Sequence, residues 1–253
     1  MCCFSRPVKS VTGTNIFARS STKERQFLVY EMKLSADEDL AMILPLPVPA
    51  KSPEDAVRFV SLKDYPEFFA DMAAGFPAPE SKLRGDGGPP AGKAQKPLAV
   101  VEVGEFEASF VPTVADFDRL DERFRLPATA WDALPAYKDH GFAVFKLKKG
   151  AKTIHPMAFE FPRRDPKRLF FPTVHIHDGA VHPTAKFDHS LYLQKRDDEG
   201  QSVITWRESP KLAASFMKVG KEGADKAAGL VDGGRHVYLR EIRGVQKNED
   251  VVL

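Results

Sequence analysis

The chain has 253 residues, enough for one large domain or two small ones, and its 43% hydrophobic content is sufficient for a sizeable core. Its 37 basic and 35 acidic residues leave a formal net charge of +2, so no global field draws nucleic acid or an anionic membrane. No run of about 18 or more apolar residues is present, which excludes a membrane-spanning helix.

The opening, Met1-Cys2-Cys3-Phe4-Ser5-Arg6-Pro7, lacks the basic start and apolar stretch of a secretory signal, so the expected compartment is the cytoplasm. Cys2 and Cys3 are the two cysteines, and a disulfide between neighbours would close almost no loop; both are expected to be reduced. Strand-like alternation then runs through Cys3 to Val8, Thr14 to Arg19, Gln26 to Leu34 and Leu40 to Val48, with polar or glycine-containing turns between the first segments. This predicts an antiparallel meander. Pro45, Pro47 and Pro49 each remove a ladder donor, which ends the fourth strand or confines it to an edge.

Ser52-Pro53-Glu54-Asp55 reads as a helix start, continued at helical spacing by Ala56, Phe59 and Val60. A second short helix carries Phe68, Phe69 and Met72 up to Gly75. Residues 77–97, rich in Pro and Gly with three lysines, are predicted to be a flexible loop. A strand is expected from Leu98 to Pro112, bulged at Gly104. Helices follow from Thr113 to Phe124 and from Thr129 to His140, the second broken at Pro135. A second β block comprises Gly141 to Lys148, His155 to Pro162, Leu169 to His177 and Ala180 to Leu193. A helix near Pro210 to Val219 and a last strand from Arg235 to Val245 complete the pattern. The predicted fold class is α+β: mostly antiparallel β-sheets packed as a sandwich, with a few short helices in the connections, in a single domain spanning 1–253.

Six of the seven histidines lie between positions 140 and 189. Within them, His175-Ile176-His177-Asp178-Gly179-Ala180-Val181-His182 carries an Asp-Gly pair suited to a type I′ hairpin turn. In that register His175 faces His182, and His175, His177 and His182 share one side of the ribbon. Three such imidazoles reach one transition metal ion (zinc, copper or iron) and leave a position open for chemistry. His189, beside Asp188, is a further candidate ligand, as is the thiolate of Cys2. The bland alternative is an exposed strand face that happens to carry histidines. His140 reads as a helix C-terminal residue and His155 as a strand-end residue.

Removal of Met1 would leave Cys2 with a free α-amine able to take the proton from its own thiol. Met1-Cys2, a strand, a turn and Ile16-Phe17-Ala18-Arg19 resemble the opening of the cysteine-type N-terminal nucleophile acylases. The resemblance implies Cys2 as nucleophile and Arg19 as its electrostatic partner, although Ser20-Ser21-Thr22 stand where that family has Asn and Asp. More widely, Asp37 to Pro49 resembles the signature of a bacterial family of unknown function. The segments Phe142 to Leu147, Ile154 to Met157 and Phe171 to Val174 are similar to that family's second sheet. That resemblance implies packed antiparallel sheets and no activity.

Three functions stay open on the sequence. The first is a metal-binding protein or metalloenzyme, with His175, His177 and His182 as ligands and Cys2 and His189 next. The second is an amide hydrolase using Cys2. The third is a non-catalytic module presenting the proline-rich edge or the 77–97 segment to a protein partner. Neither the identity of a small-molecule or protein partner nor the oligomeric state is specified. No phosphate loop, dinucleotide fingerprint or Gly-x-Ser-x-Gly elbow occurs.

Overall fold

The structure, a computed structural model, describes residues 2–77, 107–126, 128–132, 134–177, 180–196, 200, 202–220 and 225–253. The 77–97 segment beyond Pro77 and the expected strand residues 98–106, with the bulge at Gly104, lie outside the described residues.

Period-two alternation assigns most of the core. In β2 (Ser10–Ser20), Ile16 and Ala18 face one apolar layer while Phe17 faces another. In β3 (Arg25–Ala36), Leu28, Tyr30, Met32 and Leu34 join the first layer, and Phe27 and Val29 the second. Strand β4 (Leu40–Leu46) turns Leu40, Met42, Leu44 and Leu46 toward that first layer from the opposite side. Strand β7 (Gly141–Leu147) does the same with Ala143, Phe145 and Leu147. The first layer is therefore a core shared by two sheets, with side chains alternating across it.

One sheet has five strands in the order β10 (His175–Ile176), β1 (Cys2–Phe4), β4, β7, β6 (Ala108–Val111). The other has seven: β12 (Arg207–Glu208), β13 (Tyr238–Lys247), β11 (Thr184–Gln194), β2, β3, β8 (Gly150–Pro162), β5 (Arg58–Val60). A small ribbon pairs β9 (Phe170–Phe171) with β14 (Val251–Val252). Most neighbours are antiparallel, but β1 with β10 and β2 with β11 run parallel. The sheets are thus mixed, not purely antiparallel.

Each outer face is covered as well. Helix α1 (Phe68–Ala74) buries Phe68, Phe69 and Met72 against the seven-stranded sheet, joined by Ala213, Leu230 and Val237 from the later chain. Short 3-10 turns carrying Phe117, Phe124 and Tyr137, with α2 (Ala128–Asp132) between the last two, cover the five-stranded sheet. Pro135 does break the helix expected over 129–140.

Three expectations are corrected. The first four strands do not form one meander. β2 and β3 are a hairpin, whereas β1 and β4 pair with each other in the opposite sheet. β4 is central rather than an edge. Its neighbour β1 pairs only as far as Ile43, so Pro45 lacks its N–H on a side where β1 does not reach. The helix expected from Ser52 is absent as well. Phe59 and Val60 are drawn onto β8 as strand β5, and Arg58 bridges Glu160 at 3.1 Å. A long-range ladder and an ion pair outweigh the local capping signal.

Candidate functional site

Asp178 and Gly179, the expected turn, lie outside the described residues, and among the described residues no strand pairing joins His175–His177 to Ala180–His182. His175 and Ile176 instead run parallel to β1, with Cys2 in register with His175 and Cys3 with Ile176. This two-residue edge strand is held from its other side by a single asparagine. Asn248 Oδ1 accepts from the His175 backbone N–H at 2.7 Å, and Nδ2 donates to the carbonyls of His175 and His182, both at 2.9 Å. Asp250 completes the strap by accepting from the Thr173 and Val174 N–H groups and from the Tyr137 hydroxyl. Side chains here do what a neighbouring strand would do, so the edge backbone is satisfied.

His175 points between the sheets and meets His189, which rises from the central part of β11. The two Nε2 atoms are 3.2 Å apart, and both rings are buried, His189 completely. One imidazole therefore donates and the other accepts. Phe187 packs against both rings, at 4.6 Å from His175 and 5.2 Å from His189. His177 packs with its ring tilted 49° to that of His175, centroids 4.7 Å apart, and also meets Phe4. Burial holds His175 and His189 well below the ordinary histidine range, and the adjoining imidazoles, His177 for His175 and His175 for His189, act in the same direction. The pair is consequently neutral near pH 7. The Nδ1 atom of His189 is buried without a hydrogen-bond partner among the described residues; Asp188 Oδ1 stands 3.8 Å away, and its other oxygen binds the Gly13 N–H.

The expected ligand set is therefore rearranged. His175 and His177 come together as the spacing required, but His182 is exposed and its place beside His175 is taken by His189. Among the described residues, no group of three or more His, Cys, Asp or Glu side chains is arranged to hold a metal ion. Arg19 does not approach β1. It lies on the outer face of the seven-stranded sheet, stacked 5.2 Å from the Phe27 ring and donating to the Gly229 and Leu230 carbonyls. The sandwich core separates it from Cys2. Cys3 is a buried thiol among Ile43, Val174 and Ile176. Asn248 and Asp250 were not singled out from sequence; the polar Asn-Glu-Asp run between two strands was their only signal.

A different feature lies on the far side of β11. Strand β13 is ten residues long, but its outer neighbour β12 pairs only with Tyr238 and Leu239. Among the described residues no strand pairs with the outer edge of β13 from Arg240 to Lys247. Val245 is 70% exposed there, and Arg243 ties the strand inward by donating to the His189 carbonyl at 2.5 Å. Gly244 has φ of +76°, a conformation that costs a side-chain-bearing residue energy. Arg240, Arg243 and Lys247 outnumber Glu241 and the adjoining Glu249, leaving the edge net basic although Arg243 pairs with Glu241 and Lys247 with Glu249. No described helix is long and apolar enough to cross a membrane.

No family model matches the chain, and no curated protein matches it. Solved structures do show similarity. The crystal structure of baculovirus P35 is 15% identical, with 96% of each chain covered and a TM-score of 0.48. A mutated baculovirus P35 after caspase cleavage is 12% identical over 96% of this chain and 97% of that one, with a TM-score of 0.47. A caspase-8/P35 complex is 13% identical over 96% and 95%, with a TM-score of 0.46.

Proposed function

We propose that this protein is a non-catalytic binding module that takes a protein partner by strand addition along the outer edge of β13. The observation carrying the reading is the eight-residue stretch Arg240–Lys247, paired on its inner side with β11 and on its outer side with no described strand. Such an edge presents a row of backbone donors and acceptors, the template on which an extended peptide adds as a further strand. Alternate side chains then supply specificity: Glu241, Arg243 and Val245 lie on one face of the strand, and Ile242 and Gln246 on the other. The basic balance selects an extended, acidic partner segment.

The test is selection from a library of displayed extended peptides against the immobilised protein. Enriched peptides should alternate acidic and apolar residues, and Arg243→Glu should weaken them by about tenfold, the scale of one lost charge-assisted contact. Deleting residues 77–97 separates this reading from one in which that segment meets the partner: edge binding survives the deletion, and segment binding does not.

One observation favours a second reading, a metal-binding protein. Two nitrogens each about 2.0–2.1 Å from a tetrahedral ion stand roughly 3.3 Å apart, close to the 3.2 Å between His175 and His189 Nε2. The reading requires a third ligand, and Cys2, whose backbone is in register with that of His175, is where it is sought. Elemental analysis of untagged protein decides. A transition metal near one equivalent, lost in both His189→Ala and Cys2→Ser, supports it; trace metal unchanged in either variant removes it.

A further inference from the structure

A cavity of about 270 Å³ opens where the end of β8 meets β9 and β14, away from both features above. Its walls are of two kinds. Pro47 and Val252 give it an apolar wall, backed by the buried Phe161 and Phe170. Arg163, Arg164 and Arg168 bring three positive charges, against the single carboxylate of Asp165. The sequence Pro162-Arg163-Arg164-Asp165-Pro166-Lys167-Arg168 places these charges on a tight turn.

The cationic wall is fixed in position. Arg163 is 5% exposed and donates to the carbonyls of Thr22, Lys23 and Arg168. Arg164 donates from Nε to the Val48 carbonyl at 3.0 Å and from Nη2 to the Asp139 carbonyl. Carbonyls orient a guanidinium without cancelling its charge. Arg168 reaches Asp165 at 3.4 Å. The apolar wall is fixed as well, because the buried Gln26 amide is bonded at both ends to the Phe170 backbone. His140 lines the same cavity, and its Nδ1 is buried with no hydrogen-bond partner among the described residues. Burial, aided by Arg164, pushes this imidazole down to about 4, against the opposing pull of Asp250 and Asp139, so it is neutral at physiological pH.

We infer that this cavity binds a small carboxylic acid with a flat apolar body, its carboxylate against Arg164 and Arg168 and its body against Pro47, His140 and Val252. The size suits a molecule below the drug-like range, since pockets for such ligands start at about 300 Å³. An apolar pocket with a few convergent polar groups is the usual form of such a site, and arginine is the side chain whose planar fork matches a carboxylate.

The probe is 3-phenylpropionate, titrated into the full chain and followed by backbone and His140 ring NMR signals. The expected result is saturable binding with shifts at His140, Phe161 and Phe170. The isosteric amide and acetate should each bind at least about tenfold more weakly, as one supplies no charge and the other no body. Arg168→Gln, at an exposed side chain with a single ion pair, should weaken binding about tenfold with an unchanged melting temperature. Arg164→Gln should do likewise, with its melting temperature read in parallel because it also secures Val48 and Asp139. Equal affinity for acid and amide, shifts confined to other residues, or an Arg168→Gln protein that binds as well as the parent would each overturn the inference.

Discussion

His175 Nε2, from the edge of one sheet, lies 3.2 Å from His189 Nε2, from the interior of the other. This polar contact joins the two sheets at the rim of their shared core. Removing one ring strands the other in a buried place, so His189→Ala should cost about 2–4 kcal/mol, combining a lost buried hydrogen bond with a cavity. Denaturant unfolding measures this; a change under half a kcal/mol would show that the pair contributes little to holding the sheets together.

Asn248 substitutes for a missing strand beside His175. Asn248→Ala should lower stability by about 1–3 kcal/mol, because the His175 N–H and the His175 and His182 carbonyls lose their partner together. Amide exchange should quicken over 173–177 and remain slow in β3 and β8.

Phe159 is fully buried in the shared core, with ring contacts to Phe145 of the facing sheet at 5.8 Å and to Phe59 and Phe161 at 6.1 and 6.0 Å. Phe159→Ala is expected to cost about 3–5 kcal/mol. Phe159→Leu, which refills most of the space, should cost visibly less in the same unfolding experiment.

Glu31 gives the fold a pH dependence of predictable sign. Burial raises its carboxyl from the ordinary 4.5 to about 7, although Asn15 Nδ2 donates to it at 3.2 Å and pulls the other way. Because the folded-state value lies above the unfolded one, the native state holds the extra proton between these limits. Stability from this residue is therefore present below pH 4.5 and is lost as pH rises toward 7. Glu31→Gln should be more stable than the parent at pH 8 by about 1–3 kcal/mol and equal to it near pH 4.5. Melting curves at the two pH values check this, and a variant destabilised at pH 8 would contradict it.

Much of the scaffold was legible in the sequence because alternation is a local signal. The runs of β2, β3, β4, β7 and β8 name their inward residues almost one by one. What escaped depends on distant partners. Ser52-Pro53-Glu54-Asp55 carries good helix-start chemistry, yet Phe59 is claimed by β8, a hundred residues later. Pro45 in β4 and Pro47 and Pro49 after it mark an edge locally, but a three-residue strand from the N-terminal end fits beside β4 and stops short of Pro45. The histidines stand out in the sequence as a group, but what arranges them is distant. Asp178-Gly179 suggested a reversal, whereas the register of His175 is set by β1 and by Asn248, each some 70 residues or more away in sequence. His189 is a candidate in the sequence, but the parallel pairing of β11 to β2 that carries it across from His175 is not legible there.

Strand addition at β13 is tested most directly by amide hydrogen exchange on the protein with and without a selected acidic peptide. Protection is expected at alternate amides of Arg240–Lys247, with the opposite edge strand β5 spared. Protection centred on any other segment, or tight peptide binding that leaves 240–247 exchanging as before, would contradict it.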